Sequence, residues 1–299
     1  MSIQHLIECG DALRRDKDYR GAIPAYLQAL ELEPGSGEAL LGLAAARRGD
    51  HDLAGAIEAL RRYAQQRPGD PMALSRLGDA YRKSGQADLA LEHYRRALAL
   101  DPRNRHALIG LGGLHHSAHQ DQEALVHWER LLEVIPDHVN FLTKVGNIHR
   151  KQQAYEKAIR CFTRALALDP DNPYAVFGMA DSLRGLGRFA EAMPYWEAIL
   201  RRDPGNQPAL ARAGDCSLRL GSLALAERFY TTCLGQGFHR PAMLGLGRLH
   251  RERGELGRAV ECYRKILARD PADARAVALL SDTLVAIAPG GGDPRAGRA

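Results

Sequence analysis

Proline returns at a fixed spacing of 34 residues through most of the chain: Pro34, Pro68, Pro102, Pro136, Pro170 and Pro204. The next step falls on Phe238, and Pro271 resumes the series one residue out of register. A period of this length gives each repeat room for one supersecondary unit and little more. The clearest copy runs from Pro71 to Asn104. Its Leu74, Leu77, Gly78 and Tyr81 fall on one stripe of a helix, and Ala90, Tyr94 and Ala97 fall on a second. Ser84-Gly85-Gln86 separates the two. Asp101-Pro102 ends the second, because proline has no N–H to donate to the next helical bond. The unit is a helical hairpin. One such hairpin cannot bury its own apolar faces, so it must stack on copies of itself.

The copies are visible column by column. The Ala90 column reads Ala22, Ala56, Ala90, Ala124, Ala158, Ala192, Ala226 and Ala259. The Gly78 column holds only glycine or alanine, from Gly10 to Gly247. The Tyr94 column reads Tyr26, Leu60, Tyr94, Trp128, Phe162, Trp196, Tyr230 and Tyr263. This spacing and these residue types resemble the tetratricopeptide repeat (TPR) over residues 3–273. The resemblance implies an all-α fold, a right-handed α-α superhelical solenoid of TPR helical hairpins whose first helices line a concave surface. We expect a single solenoid over 3–288. Its repeats are 3–36, 37–70, 71–104, 105–138, 139–172, 173–206, 207–239 and 240–273, followed by a capping helix at 274–288. Residues 289–299 are Gly/Pro-rich and polar and are expected to be a disordered tail. In the first repeat the helices should cover Gln4–Arg15 and Tyr19–Glu31. Pro24 and Pro194 fall inside second helices, where a slight bend is expected and not a break. Gly235 and Gly237 replace the Asp-Pro stop of the seventh repeat, so that junction should be looser than the others.

A longer period of two repeats lies over the first. Two residues before the Gly78 column stand Glu8, Arg76, Lys144 and Arg212 in odd repeats, but Gly42, Gly110, Gly178 and Gly245 in even ones. A glycine inside a helix costs about 1 kcal/mol against alanine, so the series needs a reason. One reading is packing, each glycine making room for the larger residue that even repeats carry in the Ala97 column. The other is that these glycines lower the groove floor for a ligand backbone.

No catalytic motif is present: there is no GxSxG, Walker loop, HExxH or CxxC pair, and no enzyme is expected. The five cysteines are scattered and odd in number. Cys9, Cys233 and Cys262 lie on or beside packing columns and should be small buried hydrophobes in a reducing cytoplasm. His115 and His119 have a metal-gripping spacing, yet His115, His149 and His250 share the Tyr81 column and should pack between helices with a bonded ring nitrogen. No metal site and no cofactor are expected. The N-terminal stretch MSIQHLIECGDALRR has no basic segment followed by an apolar one, and no apolar run approaches the ~20 residues of a membrane span. A cytoplasmic location without membrane insertion is the expectation.

The groove columns carry the functional reading. They are those of Met72, Ser75, Arg76, Asp79, Arg82 and Lys83, and together they hold fourteen basic and seven acidic residues. The whole chain is only +5, so the positive charge is concentrated there. The candidate peptide-binding residues are Arg14, Arg48, Arg76, Asp79, Arg82, Lys144, Asn147, Arg150, Asp181, Arg184, Asp215 and Arg251. They point to a non-enzymatic scaffold or adaptor that binds a protein or peptide segment of acidic character, with arginine forks as donors. Arg150 and Arg184 lie outside the packing columns, so their loss should leave folding intact. The competing reading is that Asp79, Arg82 and their equivalents are i,i+3 pairs that solvate a helix face. Some TPR co-chaperones hold a chaperone C-terminus with a two-carboxylate clamp. Asn147 matches one of its positions, but Thr143 and Gly178 replace its Lys and second Asn. Alternatives that stay open are a helical-repeat RNA-binding protein, with Tyr174 and Phe177 as the available stacking residues, and an accessory subunit that positions substrates for a separate enzyme. Nucleic acid is the less favoured partner, and homo-oligomerisation is left open.

Overall fold

The protein is described here from a computed structural model, which covers residues 1–288. The expected tail at 289–299 lies outside the described residues. The chain divides into two compact units, Met1–Phe141 and Leu142 onward. The first unit holds α1 (Ile3–Arg15), α2 (Tyr19–Leu32), α3 (Gly37–Gly49), α4 (Leu53–Gln66), α5 (Pro71–Lys83), α6 (Ala87–Leu100), α7 (Arg105–Ser117) and α8 (Asp121–Val134). The division falls in the first turn of α9 (Val139–Lys151). The second unit continues with α10 (Tyr155–Leu168), α11 (Pro173–Gly185), α12 (Phe189–Arg202), α13 (Gln207–Arg219), α14 (Leu223–Gly235), α15 (Arg240–Glu252), α16 (Leu256–Leu267) and α17 (Ala274–Ile287). Among the described residues there are seventeen helices and no strand, an all-α repeat fold. Pro24 and Pro194 sit inside unbroken helices, as expected.

Local chemistry sets the helix ends. Ser36, Asp70, Asn104, Asn172 and Asn206 each end one repeat and cap the first helix of the next, the side chain accepting a backbone N–H of the first turn. The turn inside each hairpin places one residue in the left-handed region. That residue is Lys17, His51, Gly85, His119, Gln153, Gly187, Gly221 or Gly254. Four of the eight are not glycine, although L-residues pay about 1–2 kcal/mol for this conformation.

The two-repeat alternation has a specific packing cause. The rings of Tyr26, Tyr94, Phe162 and Tyr230 are fully buried, and each lies between two glycines. One glycine belongs to the first helix of its own repeat. A Cβ added at Gly10, Gly78 or Gly146 would stand 2.8 Å from the ring, and one at Gly214 2.6 Å. The other is Gly42, Gly110, Gly178 or Gly245, on the first helix of the next repeat, where an added Cβ would lie closer still. The alternating glycines therefore answer the ring of the preceding repeat and not the Ala97 column, which corrects the sequence reading. The space left by the missing side chain is filled by that ring, so these glycines do not hold open a floor for a ligand.

Two other expectations meet specific outcomes. Cys233 and Cys262 are buried, but Cys9 is exposed. Cys9 occupies the column of Leu43, Leu77 and Leu111, which are buried against the preceding hairpin. α1 is the first described helix, and that face is open on it. The seventh junction is held by side chains: Arg269 lies 4.3 Å above the Phe238 ring, and Arg253 pairs with Glu227 at 2.6 Å.

Substitution of the sandwich glycines should separate packing from helix propensity. Gly178→Ala is expected to lower stability by about 1–3 kcal/mol, because overpacking against Phe162 outweighs the better propensity of alanine. Gly113, also helical, has open space at its Cβ position. Gly113→Ala should raise stability by up to about 1 kcal/mol. Urea melts of the two variants should move in opposite directions. Gln153→Gly should likewise raise the midpoint by relieving the left-handed backbone, a gain of up to about 1 kcal/mol.

Candidate functional site

The tyrosine of the sandwich carries a hydroxyl that needs a partner once buried. Tyr26 donates to Asp11 at 2.7 Å, Tyr94 to Asp79 at 2.6 Å and Tyr230 to Asp215 at 2.8 Å. Burial, followed by the hydrogen bond to Asp11, pushes the Tyr26 phenol up to about 12, and the Tyr94 and Tyr230 phenols also rise for the same reasons. Arg14 and Arg82 complete two of these groups. Arg14 reaches both Tyr26 and Asp11, and Arg82 reaches Tyr94 at 3.4 Å and Asp79 at 3.6 Å. Four of the candidate groove residues, Arg14, Asp79, Arg82 and Asp215, are thus engaged within their own repeat, together with Asp11.

The fifth repeat breaks this pattern. Phe162 has no hydroxyl, and Asn147 stands where the aspartate would be. Arg150, in the column of Arg14 and Arg82, keeps only a 3.4 Å bond to Asn147 and turns to the next repeat, where its Nη1 donates to Asp181 Oδ2 at 2.6 Å. Arg184 donates to Asp181 Oδ1 from Nε at 3.1 Å and Nη2 at 2.9 Å. Arg212 donates to the same oxygen from Nε at 2.9 Å. Helices α9, α11 and α13 thereby bring three guanidiniums onto one carboxylate. The Asp181 side chain is 7% exposed, whereas those of Arg150, Arg184 and Arg212 remain 22–32% exposed. The cluster has a surplus of positive charge on partly exposed side chains. Arg212 also lies 5.1 Å above the Phe177 ring, which in turn meets Trp196 edge-on at 5.3 Å. Phe177 is therefore half-buried in packing, while Tyr174 is exposed.

Burial alone would raise the Asp181 pKa, but the guanidiniums of Arg212 and Arg184 outweigh it and hold the carboxyl below its ordinary value. The Arg184 guanidinium is held up against burial by Asp181. One sequence expectation changes as a result. Asp181 is a buried anchor and not a groove side chain, and removing Arg150 and Arg184 together would leave a buried carboxylate with one partner. That substitution is not neutral for folding, because a buried charge stripped of its partners is costly.

The remaining candidates are dispersed. In the first unit Arg14, Arg48, Arg76 and Lys83 line a cavity of about 560 Å³ beside α1, α3 and α5. Glu8, Asp11, Glu38 and Asp79 line it too, so its charges balance. Lys144 is exposed on α9, and Arg251 is half-buried near the end of α15. Sequence reasoning left Arg212 out of the candidate set. The signal available was its place in the alternating column, where a long side chain replaces glycine. The histidines pack largely as expected: His115 stacks on His127 at 5.5 Å with its Nδ1 2.7 Å from Gln120, and His250 Nδ1 lies 2.6 Å from Glu255. Among the described residues no three His, Cys, Asp or Glu side chains gather to hold a metal, and no helix is long and apolar enough to cross a membrane.

Asp181 sets a pH dependence whose sign follows from its lowered pKa. Its ion pairs stabilise the fold fully above the ordinary carboxylate value of 3.8 and are lost as pH falls through that value and then through the folded-state one. Between about pH 5 and pH 2, wild-type protein should lose more stability than Asp181→Asn, measured by urea midpoints at each pH. Equal losses would show that the carboxylate is not the anchor described.

A tetratricopeptide repeat model matches residues 9–71, 122–173, 143–206, 177–236 and 242–286, and a second model of the same repeat matches 71–104. No curated protein matches the sequence. Solved structures resemble the fold. One is YrrB, described as a TPR protein with an unusual peptide-binding site, at 21% identity and TM-score 0.58, covering 62% of this chain and 97% of that one. Another is the C-terminal part of a TPR protein from Cytophaga hutchinsonii, at 17% identity and TM-score 0.57, covering 92% and 99%. A third, from Parabacteroides merdae, has 21% identity and TM-score 0.51 and covers 83% and 98%.

Proposed function

The chain belongs to the tetratricopeptide repeat family, and from that premise we propose that it is a non-enzymatic scaffold whose second unit binds an acidic protein segment at the Arg150, Arg184 and Arg212 cluster. A TPR scaffold is compatible with protein–protein interaction, and YrrB, of the same fold, is described as having a peptide-binding site. The observation that carries the acidic reading is the three-to-one ratio of guanidinium to carboxylate at Asp181. Asp181 holds the three forks in place, so little side-chain entropy remains to be lost when a ligand carboxylate arrives. Each arginine side chain remains 22–32% exposed, and a charge-assisted bond to a carboxylate contributes about 1.5–3 kcal/mol when partly desolvated. The balanced cavity of the first unit offers no such surplus.

Arg212→Ala tests this reading without stripping the anchor, since Arg150 and Arg184 stay on Asp181. Fluorescence anisotropy with a Glu/Asp-rich peptide should show binding that weakens about tenfold in the variant, one decade being ~1.4 kcal/mol. Arg20→Glu, at an exposed pair with Asp50 in the first unit, should change little. The proposal fails if the Gln/Asn form of the peptide binds as tightly, or if an RNA oligonucleotide binds more tightly with a steep salt dependence.

A further inference from the structure

A second basic feature lies in the same unit and shares Arg184 with the Asp181 cluster. A cavity of about 890 Å³ is walled by α11, α13, α15 and α17. Two of its arginines are already engaged, Arg184 with Asp181 and Arg240 with Asp273. Three are not. Arg219, Arg248 and Arg275 line the cavity, and their guanidiniums make no hydrogen bond or ion pair among the described residues. Two acids stand on the wall, Glu252 and Asp215, which accepts the Tyr230 hydroxyl and keeps its charge, so three free cations face two carboxylates. Arg248 is also the one cation in a column that elsewhere holds Asp, Asn, Ala or Gly. Helices α13, α15 and α17 therefore concentrate positive charge beside a column where the other repeats carry an acid or a neutral residue.

We propose that this cavity is a binding site for a phosphate monoester carried on an apolar group. The ligand class follows from charge. Three free guanidiniums on one wall bring a charge that a single carboxylate neutralises only in part. A phosphate monoester brings three acceptor oxygens and a charge of roughly −1.5 to −2 at neutral pH. Guanidiniums suit such planar, bidentate recognition better than ammonium groups do. Leu218, Leu244 and Leu279 supply an apolar wall for the carrier. The volume falls within the roughly 300–1,000 Å³ of ordinary ligand sites. Arg184 lines the cavity as well, but the three arginines that define the site take no part in the Asp181 cluster, so the two readings can fail separately.

Isothermal titration of the full chain with phenyl phosphate, phenylacetate and inorganic phosphate tests the proposal. Phenyl phosphate should bind at least about tenfold more tightly than either of the others, since the carboxylate lacks the third oxygen and the second charge and the free ion lacks the carrier. Arg248→Ala with Arg275→Ala should lower that affinity by about tenfold or more, with the thermal midpoint of the unliganded protein little changed. Arg248→Lys keeps the charge and loses the fork, so it should weaken binding while leaving the fold untouched. Arg212→Ala should leave phenyl phosphate binding as it is, which separates this site from the Asp181 cluster. Equal affinity for phenyl phosphate and phenylacetate would overturn the proposal. So would binding that survives the double variant, or inorganic phosphate binding as tightly as the ester.

Discussion

Each hairpin pair is locked by one aromatic ring that fits between two glycines. The ring of Tyr26, Tyr94, Phe162 or Tyr230 comes from the second helix of an odd repeat. One glycine lies on the partner helix of the same hairpin, and the other on the first helix of the next repeat. A single side chain therefore closes its own hairpin and couples it to the one that follows. The price in helix propensity is about 1 kcal/mol per glycine, and it is offset by burial of a whole ring at close range. Stability in a repeat protein is set by such nearest-neighbour interfaces, so the two-repeat period in the sequence is a packing period.

The polar arrangement follows from the ring. A buried tyrosine must place its hydroxyl, and the first helix answers with an aspartate one turn from the arginine that shares it. In this way the first and third repeats satisfy their own acids and bases internally. Exchange of Tyr for Phe at 162 removes the need, and the aspartate becomes Asn147. Arg150 is then left without a strong partner in its own repeat and bonds Asp181 in the next. A change made in the core thus redirects a cation on the surface and assembles three arginines about one carboxylate.

Much of the fold was legible because the period, the small-residue columns and the Asp-Pro and Gly punctuation all encode local geometry. The helices of the first repeat were expected within a residue of where they lie. The site was legible in composition but not in partnership. A column count sees Arg14, Arg82 and Arg150 as equivalents, although the first two are tied to a tyrosine hydroxyl and the third is not. Nor does a column reveal depth: Asp181 and Asp79 share one, yet Asp181 is buried beneath its arginines. The alternating glycines were assigned the wrong neighbour, because the ring that fills their space comes from a different repeat. The exposure of Cys9 has a similar origin, since a packing column is buried only where a preceding hairpin is there to cover it.

Charge in this chain is distributed by the same logic. The cavity of the first unit has four bases and four acids, with Arg14 paired to Asp11. In the second unit the local pairing lapses twice, once where Asn147 replaces an acid and once where Arg248 replaces one. Each lapse leaves cations that no neighbouring side chain neutralises in full, and holding them close together is unfavourable by itself. The fold tolerates the first lapse by burying one shared carboxylate under three arginines. It tolerates the second by leaving Arg219 and Arg275 exposed and Arg248 half-buried on the cavity wall, where solvent can screen them. An anion arriving at either place would relieve that repulsion, which is the physical ground for proposing anion binding in the second unit and not in the first.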